Sequence, residues 1–523
     1  MRADRGRAQR RRVVWVVLDA AGYEITRRCL EAGVCPSLQT VRSEGYLGPS
    51  DPPAPNCETP PGLRALFAGA GPRQSGIWGY RMPDYAGRLE RTVSGFEVPA
   101  AGPPALWEEL ERRGEGYALF NAAFRRDPAW GPGFIHGDLL FDSYRQRLPA
   151  WGFLELPPSG VARRCRRPRF RALRAGSAAE VRRGLGTLAT LRRGQIAPLR
   201  LSRRDSALLY LAGRRLFVLP SSRPYLRAGG VARPAGPCFV PETIHHGNLF
   251  RFARQEGVLS VEQQMRPSEQ VTAQMGELAL AALAELPSRL FVLYFPLLDE
   301  LSHVYLDRIE AEWPRGRGAE LLRRCYGLLD GWIGRIMQTL HRGELLVVSA
   351  DHGQAPFRRL LRLNAILAAA GLVHRGRRGY DLRRSVAYYH PSDCGQLLVN
   401  PSRARAAGLS RERIVERVLR CLGEARDSLA CDIGHLEAEP GDPYLLFLFP
   451  RGDTGITGKG NPRDAVVAGD RRGGHHLSPL CPTPWMRATL GLWSPSGLPF
   501  ERQGIPGRNT ELKAFLLRYL SEG

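Results

Sequence analysis

Three short apolar runs, each closed by an aspartate, most constrain what this chain can become. VVWVVL runs into Asp19, FVLYFPLL into Asp299 and ELLVVSA into Asp351. Continuous apolar runs of this length suit strands buried on both faces, as in a parallel sheet covered by helices. Helical periodicity lies between them, in PALWEELERRG from Pro104, SEQVTAQMGELALAALAEL and AELLRRCYGLLDGWIGRIMQTLHRG. The alternation predicts an α/β fold with a mostly parallel sheet. Ligands of such folds gather beyond the C-terminal ends of strands, which is where these aspartates fall.

Histidines accompany the aspartates. His303 follows Asp299 by four residues in DELSH, His352 follows Asp351 in SADHGQ, and GGHHLSP supplies His475 and His476. Three Asp and three or four His at sheet edges form the donor set of a two-zinc site, because zinc takes imidazole and carboxylate ligands. A lone aspartate at a strand end is more often a helix cap or turn residue. The joint occurrence of these pairs, in this order, is what points to metal. Thr59 stands in APNCETPPGLRALFAG, followed by Pro60, Pro61 and a helical pattern. Proline is tolerated in a first helical turn, so Thr59 marks a helix start and could serve only as its N-cap. It is also the candidate nucleophile, since a helix N-terminus favours an anion.

Composition narrows the class further. A 43% apolar and 24% charged chain of 523 residues can bury a large core. No window offers some eighteen uninterrupted apolar residues, so no membrane span is expected. The apolar run VVWVVL behind the N-terminal arginines is too short for a signal peptide and reads as a first strand. A cytoplasmic location, in a bacterium, is the expectation. Ten cysteines without a C-x-x-C pair exclude a zinc knuckle of that spacing and predict reduced thiols.

The formal charge is +24, and among 75 basic residues only Lys459 and Lys513 are lysines. This is the codon bias expected of a GC-rich genome. Fourteen arginines fall between positions 163 and 204. Nucleic acid, a membrane surface or a phosphorylated ligand would suit that charge. No aromatics interleave as a single-strand platform requires, and a solvated, compositionally biased insertion is the simpler reading. The expected organisation is a basic tail over 1–12 and a catalytic domain over 13–523. Within that domain, an insertion or cap spans about 140–255 and a smaller subdomain about 375–470.

The order Asp19, Thr59 ahead of a helix, Asp299-x-x-x-His303, Asp351-His352-Gly353 and a late G-x-H resembles the type I phosphodiesterase/nucleotide pyrophosphatase family of the alkaline phosphatase superfamily. The match runs from about Val13 to His476. It implies an alkaline-phosphatase-like three-layer α/β/α sandwich with inserted cap segments, two zinc ions (replaceable by another divalent transition metal) and hydrolysis of small phosphate esters. One zinc would be held by Asp299, His303 and His475, the residue at the G-x-H position, with His476 as the fallback. The other would be held by Asp19, Asp351 and His352, with Thr59 as nucleophile and ligand and a phospho-threonine as intermediate. Two departures stand out: Ser75 where the family has histidine, and Tyr80 where it carries the asparagine that binds a phosphoryl oxygen. A tyrosine hydroxyl can donate to that oxygen, and it can equally be core packing.

Rival readings share or discard this site. A phosphomonoesterase or phosphonate hydrolase would use the same residues. A sulfatase would need C-x-P-x-R, and Cys57 is followed by Glu58 and Thr59. Related mutases usually carry serine at the nucleophile position. A non-catalytic anion- or nucleic-acid-binding protein would leave the metal set unexplained.

Overall fold

The computed structural model describes residues 11–522 except 86–90, 99–100, 121, 125–133, 136–151, 158–162, 166–169, 184, 201–205, 223–224, 229–230, 235–239, 242–258, 286–287, 378, 393, 440, 462–465, 469–472, 477 and 482. Residues 1–10 of the basic tail therefore lie outside the described residues, as do parts of the arginine-rich stretch.

The three apolar runs form neighbouring central strands. β1 (Arg12–Leu18) lies between β5 (Leu290–Phe295) and β6 (Glu344–Ser349) and is parallel to both. Beyond β5 come β3 (Tyr117–Phe120) and β4 (Phe134–Ile135), also parallel. Beyond β6 comes β7 (Ala488–Trp493), antiparallel to β6 and to β2 (Tyr46–Ser50). The order is β2-β7-β6-β1-β5-β3-β4, a mostly parallel seven-stranded sheet.

Alternation along β1 shows why its sequence is apolar throughout. Val14, Val16 and Leu18 pack into one hydrophobic cluster, while Val13, Trp15 and Val17 pack into another. A strand sends successive side chains to opposite faces, so both faces of this sheet are covered. On the first face lie α2 (Val261–Glu285), α3 (Leu297–Glu312) and α4 (Gly316–Met337). On the second lie α1 (Thr59–Ala68), through Leu63, Leu66 and Phe67, and α5 (Asn509–Ser521), through Leu512, Phe515 and Leu516. The molecule is thus a three-layer α/β/α sandwich.

Two further cores lie outside these layers. Strands between 152 and 241 form a four-stranded and a five-stranded antiparallel sheet, with a small cluster of their own around Phe170, Leu191, Leu209 and Leu216. A second cluster unites the antiparallel strands Ala387–Tyr389, Gln396–Val399, Leu446–Pro450 and Ile433–Glu437 with the helix Arg411–Leu429. It also takes in Cys57, Ile77 and Trp78, so this unit rests against the segments on either side of Thr59. No helix among the described residues is long and apolar enough to cross a membrane.

Candidate metal centre

Parallel pairing brings the C-terminal ends of β1, β5 and β6 side by side, and the acidic residues meet there. Asp19 follows β1 and Asp351 follows β6 after one residue, both fully buried. Asp299 departs from the strand-end expectation. β5 stops at Phe295, and Asp299 lies in the first turn of α3, with His303 one turn later on the same face. Thr59 is the first residue of α1, and the N-cap position belongs to Glu58.

One half of the site centres on His352. Its Nδ1 lies 3.1 Å from the Gly353 carbonyl, which can only accept, so that nitrogen carries the proton. Burial, reinforced by neighbouring His476, holds the His352 pKa well below its ordinary value, and the ring is neutral. The bare Nε2 then faces Asp19 Oδ1 at 3.4 Å, Asp351 Oδ2 at 3.4 Å and Thr59 Oγ1 at 3.3 Å. Neither of those carboxylate oxygens has a hydrogen-bond partner. Carboxylate and imidazole acceptors buried and gathered in this way suit a cation that joins them.

The other half centres on Asp299. Its Oδ1 lies 3.1 Å from His476 Nε2 and 3.4 Å from His303 Nε2, and accepts a bond from Gln354 Nε2. His303 is oriented through its other nitrogen, 3.1 Å from the Gly474 carbonyl. The His476 ring stands edge-on to both neighbours, 4.6 Å from His303 and 4.5 Å from His352. Ligand atoms of Asp299, His352 and His476, and of Asp19, Asp351 and His352, lie within 4.8 Å of one another as two groups that share His352.

Carboxylate electrostatics differ across the site. Burial, then repulsion from Asp351 and Asp299, raises the Asp19 pKa well above the usual range. Burial pushes Asp351 up to about 7. Burial acts in the same sense on Asp299, but His303 beside it and the bond from His476 prevail and lower it. Burial opposes protonation of His476, yet its bond to Asp299 wins and raises its pKa.

Asp19, Thr59, Asp299, His303, Asp351 and His352 are thus brought together. His475 is not in either group. It ends the strand Gly473–His475, opposite Ala355, with its ring 5.8 Å from that of Phe357. Successive residues of a strand point to opposite sides, so the next one, His476, is directed at Asp299. Tyr80 is half-buried, with its ring edge-on to Phe96 at 5.3 Å.

Several supporting residues carry no sequence signal that singles them out. Tyr294, read only as part of an apolar strand, donates its hydroxyl to Asp19 Oδ2. Asn509, at the start of α5, donates to the Ala350 and Asp351 carbonyls at 3.1 and 2.9 Å and steadies that turn. Gln354 was within reach of the sequence, two residues after His352 in DHGQ.

Residues 240–429 match the family model of type I phosphodiesterase/nucleotide pyrophosphatase. No curated protein sequence matches the chain. Among solved structures, phosphonoacetate hydrolase from Sinorhizobium meliloti 1021, in complex with phosphonoformate, is 12% identical. The match covers 98% of this chain and 96% of that one, with a TM-score of 0.50, and shows a shared fold. Murine ectonucleotide pyrophosphatase/phosphodiesterase 5 is also 12% identical, over 98% of this chain and 95% of that one, with a TM-score of 0.47. Over residues 240–429 the chain is thus similar to the type I phosphodiesterases/nucleotide pyrophosphatases, and as a whole it shares the fold of the phosphonoacetate hydrolase.

Proposed function

We infer that the chain hydrolyses a small phosphodiester, with Thr59 as nucleophile beside two divalent ions, zinc in the first instance. The observation that carries this reading is the Thr59 hydroxyl at a helix start, 3.3 Å from a neutral His352 Nε2 that also faces two partnerless carboxylate oxygens. The donor set fits zinc: nitrogen and carboxylate oxygen, buried, with their acceptor atoms aimed inward. Asp19, Asp351, His352 and Thr59 would hold one ion, and Asp299, His303 and His476 the other. Such ions lower the pKa of a bound hydroxyl and offset charge on the phosphoryl oxygens.

The chain's own groups do the rest. α1 aims the Thr59 oxygen into the site, and its dipole favours negative charge there. Pro60 and Pro61 have no N–H to offer, so that first turn contributes its field more than hydrogen bonds. Attack forms the Oγ–phosphorus bond of a phospho-threonine and expels the ester oxygen. Water then cleaves that bond and frees Thr59. By its place in the sequence, where the family carries an asparagine, the Tyr80 hydroxyl would donate to a phosphoryl oxygen.

The test is turnover of an aryl phosphodiester and of its monoester by the zinc-loaded chain, with Thr59→Ala alongside. Diester turnover lost by at least about a thousandfold in the variant is expected. An unchanged rate in Thr59→Ala would sink the nucleophile assignment. A monoester preference would keep the chemistry and change the substrate class.

A further inference from the structure

Glu58 breaks a local rule. An N-cap residue normally turns its side chain back onto the first helical turn, and Asp, Asn, Ser or Thr fit that task. Glu58 holds the N-cap position of α1 and makes no such bond, although it is 93% buried beside the proposed nucleophile. Its Oε2 instead accepts the backbone N–H of Tyr80 at 2.6 Å, 22 residues away. Asn56 works in parallel: its side-chain oxygen accepts the Glu58 N–H at 3.2 Å, and its Nδ2 donates to the Trp78 carbonyl at 2.5 Å. The two residues that precede Thr59 at alternate positions therefore both brace the strap 78–80.

Glycine makes that grip possible. A Cβ on Gly79 would stand 2.6 Å from Glu58 Oε2, 2.9 Å from Cys394 Cβ and 3.2 Å from Asn56 Nδ2. The strap is wedged between the nucleophile segment and the neighbouring antiparallel unit, with no space for a side chain. From beyond, Gly95 donates its N–H to the Tyr80 carbonyl at 2.9 Å, and a Cβ on Gly95 would stand 2.0 Å from the Gly79 carbonyl oxygen. Both ends of the Tyr80 main chain are thus tied, and the ring is set edge-on against Phe96.

We propose that Glu58 is a positioning residue: by holding the Tyr80 N–H from the residue next to Thr59, it fixes the distance between the nucleophile and the Tyr80 hydroxyl. This deepens the reading above and rests on its assignment of Tyr80 to the phosphoryl group. A rigid aromatic donor reaches further than an asparagine and cannot adjust by side-chain rotation alone. Its backbone must therefore be set accurately, because misplacement on the ångström scale is costly in a preorganised site. A carboxylate that accepts a main-chain N–H provides one of the stronger single anchors available.

The experiment compares Glu58→Ala, Glu58→Gln, Tyr80→Phe and the Glu58→Ala/Tyr80→Phe pair in the zinc-loaded full chain, with bis-p-nitrophenyl phosphate as probe. Glu58→Ala and Tyr80→Phe should each lower kcat/KM about tenfold, the value of one good hydrogen bond. The pair should be no worse than the poorer single variant, because one residue acts through the other. Glu58→Gln keeps a carbonyl acceptor and should retain most of the activity. Amide exchange gives a readout apart from turnover: the Tyr80 N–H should lose protection in Glu58→Ala alone. If Glu58→Ala does not fold, Gly79→Ala reaches the same strap from the other side and should bring the same loss. Multiplicative losses in the pair, full activity in Glu58→Ala, or Tyr80 protection unchanged would overturn the proposal. Failure of the wild-type chain to cleave any phosphate ester would instead count against the functional reading, and the exchange data would still judge the anchor.

Discussion

At the scale of single residues, the site gathers buried acceptors at one point and places donors behind them. Tyr294 shows the second part. Its hydroxyl occupies Asp19 Oδ2 and leaves Oδ1 directed at His352. Removing a group that orients a metal ligand typically weakens metal binding by about 10–100-fold. Tyr294→Phe should therefore weaken zinc binding on the Asp19 side by roughly that factor, while the fold, which buries the same ring, persists. Competition with a chromophoric chelator measures it, and unaltered affinity would mean that Asp19 is held by other contacts. Asp19, Thr59, Asp351 and His352 stand out in the sequence because each closes or opens an element with a polar group. Tyr294 does not, since in FVLYF its single hydroxyl is indistinguishable from core packing until the partner strand is known.

At the scale of elements, the choice between His475 and His476 illustrates what a sequence cannot carry. Both stand in GGHH, and which one faces Asp299 depends on the register of the strand Gly473–His475 against Ala355–Phe357. A slip of one residue would exchange their roles. That register depends in turn on how closely the strand approaches α3. A Cβ on Gly474 would stand 2.4 Å from Gln354 Oε1 and 2.5 Å from the Ser302 carbonyl oxygen, and one on Gly473 would stand 2.1 Å from the His303 carbonyl oxygen. Gly474→Ala should push the strand off α3 and draw His476 away from Asp299. The expected result is loss of one bound metal per chain, read by elemental analysis, with the circular dichroism spectrum retained. Two metals still bound would show that the strand can shift without moving His476.

At the scale of the whole molecule, the parallel sheet was legible because its central strands are apolar on both faces, and only burial between helix layers satisfies such a pattern. The nine strands of the two sheets between 152 and 241 were less legible. Their exposed faces carry arginine in place of the usual mixture of polar residues, which masks the alternation of strands such as Phe170–Ala175 and Ala178–Arg183. The central sheet also concentrates buried charge at one edge, and this has a consequence for stability. In the metal-free chain Asp351 titrates at about 7, and Asp19 and His476 are also raised above their ordinary values. Groups with raised pKa values keep in the folded state the protons that the unfolded chain has released. Stability therefore falls as pH rises through the folded pKa. His352 is shifted the other way, and its opposing contribution is lost only as pH falls below about 6.5. Between about pH 6.5 and 8.5 the first set dominates, and each retained proton contributes a slope of about 1.4 kcal/mol per pH unit. The chelated chain should thus melt at a lower temperature at pH 8.5 than at pH 6.5. Zinc, which binds the deprotonated donors, should raise the melting temperature more at the higher pH, since its binding no longer has to displace those protons. Thermal melts with and without chelator at the two pH values decide it. A metal-free chain that is more stable at pH 8.5 would mean that the acidic edge of the sheet is relieved by contacts other than a cation.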